Sequence, residues 1–142
     1  MNNKPYFNFE NGLARCILST KYGTFTGEAK CHPDDFDMES EKVGCEIAYT
    51  RALIKALTHE RDNVIKPSLK ALKQLLYSMK HSNKFNKKSY ENKMLWSQIQ
   101  NWQFDLNTIN KIIANEKEGL RQYIKIKDEL YKRLRAQRNG QN

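Results

Sequence analysis

Three cysteines are the residues of this sequence whose chemistry could support catalysis or metal binding. Cys31 is followed by His32, but neighbouring strand residues point to opposite faces, so the two are not expected to act as a nucleophile and its base. Cys16, Cys31 and Cys45 could approach a histidine only if a helix crosses the strands, and they lack the spacing of a recognised zinc site. We interpret all three as reduced, small apolar residues that fill a sheet–helix interface.

A group of aspartates, Asp34, Asp35 and Asp37, could hold a divalent cation. These residues precede a predicted helix, where aspartates commonly cap the helix or stabilise a turn. The sequence contains no P-loop, dinucleotide-binding glycine fingerprint, HExxH or GxSxG motif. We therefore predict a protein that is not an enzyme and that holds no metal and no cofactor.

A regular row of lysines is the stronger functional signal. Basic residues and one tyrosine recur with helical spacing: Lys66, Lys70, Lys73, Tyr77 and Lys80. Groups about 5 to 6 Å apart on one helix face can follow a phosphate backbone, and the tyrosine could stack on a base or ribose. Further basic residues could extend this surface: Lys84, Lys87, Lys88, Arg133, Arg135 and Arg138. The alternative is an ordinary solvated helix surface.

The charge is divided unevenly along the 142 residues. Residues 1–62 carry 8 Lys and Arg against 10 Asp and Glu, a net −2, whereas residues 63–142 carry 17 against 6, a net +11. We predict a small sheet-plus-helix module over 1–62 and a basic helical hairpin over 63–142. The basic half should meet an acidic partner, such as nucleic acid, an anionic membrane or an acidic protein face.

The first module is predicted to contain a β-hairpin. Residues 13–21 and 24–31 are rich in strand-favouring types, and Tyr22-Gly23 between them is a plausible turn. Pairing about that turn sets Leu18 opposite Gly27 and Cys16 opposite Ala29. Residues 6–9 could add a third strand.

A helix should follow from residue 39 to about residue 59. Gly44 and Ala48 lie four residues apart on this helix, so they form one line of small side chains. Gly27 and Ala29 leave a shallow groove on the sheet. Together these residues predict that the helix packs closely on the hairpin.

Two further helices are predicted in the basic half. One starts at Pro67, and its apolar seam comprises Ile65, Leu69, Leu72, Leu76 and Met79. After a polar linker over 81–89, a longer seam comprises Leu95, Ile99, Trp102, Leu106, Ile109, Ile113, Leu120, Ile124, Tyr131 and Leu134. These seams predict an antiparallel hairpin of unequal arms, with residues 90–136 forming one helix or two and a frayed basic tail. The unpaired seam could meet the first module, a second copy of the chain or a foreign partner. The predicted fold class is therefore α+β, mostly α.

Aromatic residues of the long helix could anchor a partner. Trp102 lies in the seam and is expected in the core, whereas Trp96 and Phe104 fall outside it. Aromatic residues are common interface anchors. We favour the reading in which Trp96 and Phe104 are covered by the first module, with exposed anchors as the alternative.

One pattern, GxAxxxPxD followed by GxxxAxxRAL, is formed by Gly27, Ala29, Pro33, Asp35, Gly44, Ala48, Arg51, Ala52 and Leu53. It resembles a pattern that recurs in small bacterial and phage proteins, over residues 12–57. The resemblance implies a compact module similar to double-stranded-RNA-binding folds. The Asn- and Lys-rich composition also resembles that of a phage or prophage of a low-GC Gram-positive host. This resemblance implies a mobile-element accessory protein, a class that includes inhibitors of host defence systems such as anti-CRISPR proteins.

Three functions follow as expectations. The first is a phage or mobile-element accessory protein that inhibits a host nucleic-acid machine by binding a host protein or ribonucleoprotein. The second is a direct DNA- or RNA-binding protein in phage replication, regulation or packaging. The third is a structural adaptor that forms homo-oligomers through its long helix. No apolar run approaches the ~20 residues of a membrane span, so we expect a cytoplasmic protein of the host cell without a membrane partner.

Overall fold

The computed structural model describes residues 4–31, 40–81 and 90–140. Its three strands come first: β1 (Lys4–Glu10), β2 (Leu13–Thr20) and β3 (Gly23–Lys30). The helical part follows: α1 (Ser40–Glu60), a π-helical turn (Arg61–Ile65), α2 (Lys66–Lys80) and α3 (Tyr90–Gly140). This architecture confirms the predicted α+β, mostly α fold.

The strands form an antiparallel sheet in the order β1-β2-β3, so the predicted hairpin and third strand are confirmed. The predicted pairing of β2 with β3 is wrong by two residues. Leu18 pairs with Phe25 instead of Gly27, and Cys16 pairs with Gly27. Because strand side chains alternate with period two, this shift leaves every side chain on its predicted face. The buried face accordingly contains Ala14, Cys16, Leu18, Gly27 and Ala29.

The turn between β2 and β3 sets this pairing. It consists of Lys21 and Tyr22, so Gly23 is the first residue of β3 rather than part of the turn. The hydroxyl of Thr20 accepts a hydrogen bond from the backbone N–H of Tyr22 (3.2 Å) and donates one to the Gly23 carbonyl oxygen (2.9 Å). The threonine side chain thereby closes the turn one residue earlier than the sequence indicated.

Small side chains allow α1 to pack directly on the sheet, as predicted. A β-carbon on Gly27 would lie 2.0 Å from the carbonyl oxygen of Ala48, and one on Gly44 would lie 2.9 Å from the β-carbon of Ala14. The backbones therefore touch without intervening side chains. The buried core of this region comprises Ala14, Cys16, Leu18, Ala29, Ile47, Ala48, Ala52 and Ala56.

Two basic side chains of α1 hydrogen-bond to the edge of β3. Arg51 Nη1 donates to the carbonyl oxygen of Glu28, and Lys55 Nζ donates to that of Thr26, each at 2.7 Å. An edge strand has no neighbour for half of its backbone groups. These two bonds satisfy carbonyl oxygens of that edge and fasten α1 to the sheet.

α2 begins within one residue of the predicted start at Pro67, but the helix is not interrupted there. The π-helical turn Arg61–Ile65 joins α1 to α2, and the backbone N–H of Lys66 donates to the carbonyl oxygen five residues earlier. The side-chain amide of Asn63 donates to the carbonyl oxygen of His59 (3.1 Å). Proline lacks an N–H and crowds the carbonyl four residues before it. The wider π-helical turn accommodates Pro67 within a continuing helix.

The seams of α2 and of the first half of α3 pack together. Their buried cluster comprises Leu69, Leu76, Leu95 and Ile99, with Leu72, Met79, Trp102 and Leu106 packed against it. Lys80 lies over the ring of Trp96, while Arg61 hydrogen-bonds to Asn110. Later residues of the first arm therefore meet earlier residues of the second. This order confirms the predicted antiparallel helical hairpin.

α3 is one helix, which decides between the one-helix and two-helix readings of this region. Its later seam meets the first module, because Leu120, Tyr123 and Ile124 pack against the core of the sheet and α1. Tyr123 Oη also donates a hydrogen bond to Glu46 Oε2 of α1 (2.5 Å). α3 extends to Gly140, and the predicted fraying of the basic tail stays a prediction.

The chain forms two compact units, one of residues 1–56 and 113–142 and one of residues 57–112. The predicted domain boundary between residues 62 and 63 stays a prediction. Within the described ranges, none of the helices combines the length and the apolar character needed to cross a membrane.

Candidate nucleic-acid interface

The basic row of α2 is exposed because it lies beside the buried seam. Successive residues of an α-helix are about 100° apart around its axis. Lys66 and Lys70 each follow a buried residue, Ile65 and Leu69, so their side chains flank the hairpin interface and reach solvent. All five predicted members of the row are exposed: Lys66, Lys70, Lys73, Tyr77 and Lys80.

An acidic residue occupies the beginning of the row. Asp62 Oδ1 lies 2.9 Å from Arg61 Nε and 3.4 Å from Lys66 Nζ. The hydrogen bond from Arg61, followed by the smaller effect of Lys66, lowers the pKa of the Asp62 carboxyl below its ordinary value. This carboxylate is therefore ionised at neutral pH and partly neutralises the first lysine.

The middle of the row carries unneutralised charge. Among the residues that the structure describes, Lys70 and Lys73 have no ion-pair partner. They line a shallow depression of about 640 Å³ together with Lys66, Leu69, Gln74, Tyr77 and Ser78. A depression lined by lysine, amide and hydroxyl groups suits a phosphate-bearing ligand.

Two aromatic rings stand at the far end of the row. Tyr77 is 65% exposed, and its ring packs edge-on against His81 with 4.1 Å between ring centroids. Trp96 of α3 is 51% exposed, and Lys80 Nζ lies 6.0 Å from its ring centroid. Both rings are thus accessible beside positive charge.

The preferred reading of the aromatic residues of α3 is wrong in part. Trp102 is half-buried in the seam, as predicted. Trp96 and Phe104 are instead exposed, Trp96 to 51% and Phe104 to 69%. Phe104 comes two residues after Trp102, or about 200° around the helix, which turns it away from α2. The predicted role of both rings as interface anchors stays a prediction.

Comparisons of this chain with protein-family models, with curated proteins and with solved structures find no match. The resemblance to phage-type modules and to double-stranded-RNA-binding folds therefore stays a prediction.

Six further basic residues were predicted to extend the surface of the α2 row. Lys84, Lys87 and Lys88 lie outside the described residues. Arg133, Arg135 and Arg138 lie near the end of α3, in the unit that contains the sheet. Arg133 and Arg138 are exposed and Arg135 is half-buried.

The cysteines join no metal-binding cluster in the part of the chain that the structure describes. Cys16, Cys31 and Cys45 form no disulfide, and no cluster of three metal-ligating side chains occurs within residues 4–31, 40–81 and 90–140. Burial is the main cause that raises the pKa of the Cys16 thiol, and likewise that of Cys45. A raised thiol pKa disfavours the thiolate that nucleophilic attack requires. His32, Asp34, Asp35 and Asp37 lie outside the described residues.

Sequence reasoning missed the polar residues that lie along one edge of α3. Arg61 Nη1 donates to Asn110 Oδ1 of α3 (3.3 Å), and Gln103 Nε2 donates to Asn107 Oδ1 (3.1 Å). The sequence does contain a pattern that indicates this edge of α3. Its residues follow one another at steps of four, three, four and three: Trp96, Gln100, Gln103, Asn107 and Asn110. This spacing is the same as that of the apolar seam, displaced around α3.

Proposed function

We propose that this protein acts by binding the phosphate backbone of nucleic acid through the basic row of α2, without catalysing a reaction. The observation that carries the proposal is the charge of this segment. Residues 63–90 contain seven lysines and no aspartate or glutamate. The four of these lysines that lie in α2 are all exposed on one side of the helix.

Electrostatics supports this role for the row. Each lysine that neutralises a phosphate releases condensed counterions, so the affinity depends steeply on salt. Four such contacts predict that the affinity falls roughly 50- to 150-fold between about 50 and 200 mM salt. Lys70 and Lys73 enter such contacts without first breaking an ion pair to a described residue.

Fluorescence anisotropy of labelled DNA and RNA, titrated with the protein at several salt concentrations, tests the proposal. A linear fall of log affinity with log salt, at a slope of about −3, is expected. Absence of binding to every oligonucleotide at low salt would refute it. A slope near zero would also refute it, because phosphate contacts would then contribute little.

A host ribonucleoprotein as the target is the second candidate. The exposure of Phe104 favours it, since this ring points away from the basic row and could contact protein. An inhibitor of this kind should form a complex with its target that survives salt at which naked nucleic acid dissociates. Size-exclusion chromatography of host lysate with the protein, at high salt, tests this candidate. Loss of every complex under that condition would leave only direct nucleic-acid binding.

A further inference from the structure

We infer that the nucleic acid bound by this hairpin is single-stranded, and that its unpaired bases stack on Trp96 and Tyr77 while its phosphates meet the lysines of α2. This inference rests on the proposed function and adds the class of ligand. It requires that the aromatic rings and the lysines share one side of the hairpin.

Two contacts show that α2 and one edge of α3 border each other. At one end, Lys80 Nζ lies 6.0 Å from the centroid of the Trp96 ring. At the other end, Asn110 accepts a hydrogen bond from Arg61, and Asp62 links Arg61 to Lys66. Both ends of the basic row therefore meet the same edge of α3.

That edge of α3 is polar but uncharged between its two ends. Helical spacing places Gln100, Gln103 and Asn107 along it, and Gln103 hydrogen-bonds to Asn107. Amide side chains both donate and accept hydrogen bonds, as base edges and sugars do. The basic row is about 21 Å long at 1.5 Å per residue, and this amide row runs beside it.

Exposed rings distinguish single strands from duplexes as ligands. A base can stack on a protein ring only where its own face is free, and in a duplex each face is covered by a neighbouring base pair. Tyr77 and Trp96 are both more than half exposed, and positive charge lies beside them. Lys80 next to Trp96 would meet the phosphate of a base that stacks on that ring. A duplex could use the lysines but would leave both rings without a role.

The test measures binding of labelled oligothymidylate and oligouridylate of about 12 nucleotides, with an unlabelled duplex of equal length as competitor. The two labelled strands show whether DNA or RNA is preferred. Trp96→Ala and Tyr77→Ala should each weaken binding of the single strands roughly 5- to 100-fold. Their binding of duplex should change little. Phe104→Ala is the matched control, because it removes a ring at least as exposed as the other two from the face of α3 opposite the seam.

A fluorescence measurement separates stacking from a general loss of affinity. The protein has two tryptophans, and Trp96→Phe leaves only Trp102 to emit while keeping a ring at position 96. Single-stranded ligand should quench the wild-type protein, and the same ligand should bind Trp96→Phe with little quenching.

Three outcomes of these measurements would overturn the inference. Duplex that binds as tightly as single strands, with no effect of Trp96→Ala or Tyr77→Ala, refutes it while the proposed function stands. An equal loss in Phe104→Ala would place the contact elsewhere on α3. Absence of salt-dependent binding to both ligands would refute the inference and the proposed function together.

Discussion

The backbone of Gly27 lies against that of Ala48, so that a β-carbon on the glycine would fall 2.0 Å from the Ala48 carbonyl oxygen. The backbone nitrogen of Ala52 would lie at only 2.5 Å. Neither atom belongs to a side chain that could rotate away. The contact between β3 and α1 therefore depends on the absence of a side chain at position 27.

Gly27→Ala is expected to lower the free energy of unfolding by about 3 kcal/mol or more, because α1 would have to move off the sheet. Gly44→Ala should cost less, since the nearest atom to its added carbon is the Ala14 β-carbon at 2.9 Å. Gly119→Ala is the control: its site is open, and alanine should stabilise α3 by about 1 kcal/mol. Urea denaturation measures all three. Wild-type stability in Gly27→Ala would contradict the close packing.

Tyr123→Phe tests the bond that joins α3 to α1. Burial first, and then the hydrogen bond to Glu46, raises the pKa of Tyr123 from 10.0 to about 12. Since the folded pKa exceeds the unfolded one, this stabilisation is complete below pH 10 and disappears as the pH rises through 12. The phenylalanine variant should lose about 1 kcal/mol at neutral pH.

The measurement for this pair is the free energy of unfolding as a function of alkaline pH. The difference between wild type and Tyr123→Phe should shrink as the pH rises above 10, the unperturbed value. Glu46→Gln provides a second variant that keeps an acceptor and removes the charge. A difference that is constant with pH would contradict the raised pKa of Tyr123.

The fold was largely predictable because its patterns are periodic. Alternation along β2 and β3 identified the buried face, but it could not distinguish two pairings that differ by two residues. The hydrogen bonds of the Thr20 hydroxyl to Tyr22 and Gly23 favour the shorter turn and hence the observed pairing. The Asn11-Gly12 dipeptide was a usable signal that was missed: φ values of 53° and 77° are those of a tight hairpin turn between β1 and β2.

The candidate site was predictable only along α2. Spacing alone gives the lysine row, because neighbours on one helix follow from the helical repeat. The proximity of Lys80 to Trp96, and of Arg61 to Asn110, depends on how two distant helices pair. The two apolar seams predict that the helices pair, but they do not determine which residues of one helix lie beside which residues of the other. The π-helical turn before α2 could not be predicted from the sequence either, because Pro67 indicates the start of a helix and not a continuing helix.

Asp62→Asn is expected to strengthen nucleic-acid binding. The substitution removes the carboxylate that holds Arg61 and Lys66, so both cations become available to phosphates. We predict a roughly 3- to 6-fold higher affinity at moderate salt, with a steeper salt dependence. Asp105→Asn, which removes the same charge from exposed α3, is the matched control. Equal gains in both variants would mean that only net charge matters.

Charge reversal in the middle of the basic row tests the central claim most directly. Two double variants are compared. The α2 variant carries Lys70→Glu and Lys73→Glu, and the α3 variant carries Lys93→Glu and Lys111→Glu. Each lowers the net charge from +9 to +5. Lys93 and Lys111 are exposed residues of α3, each two positions from a buried seam residue and thus about 200° around the helix from it. Circular dichroism would establish that both variants are folded.

Anisotropy titrations across a salt series then decide the matter. If the basic row binds phosphates, the α2 double variant should bind at least ~10-fold more weakly, and its slope of log affinity against log salt should be smaller in magnitude by about 2. The α3 double variant should change the affinity less than ~3-fold. Equal losses in the two variants, or full binding by the α2 variant, would contradict nucleic-acid recognition by the basic row of α2.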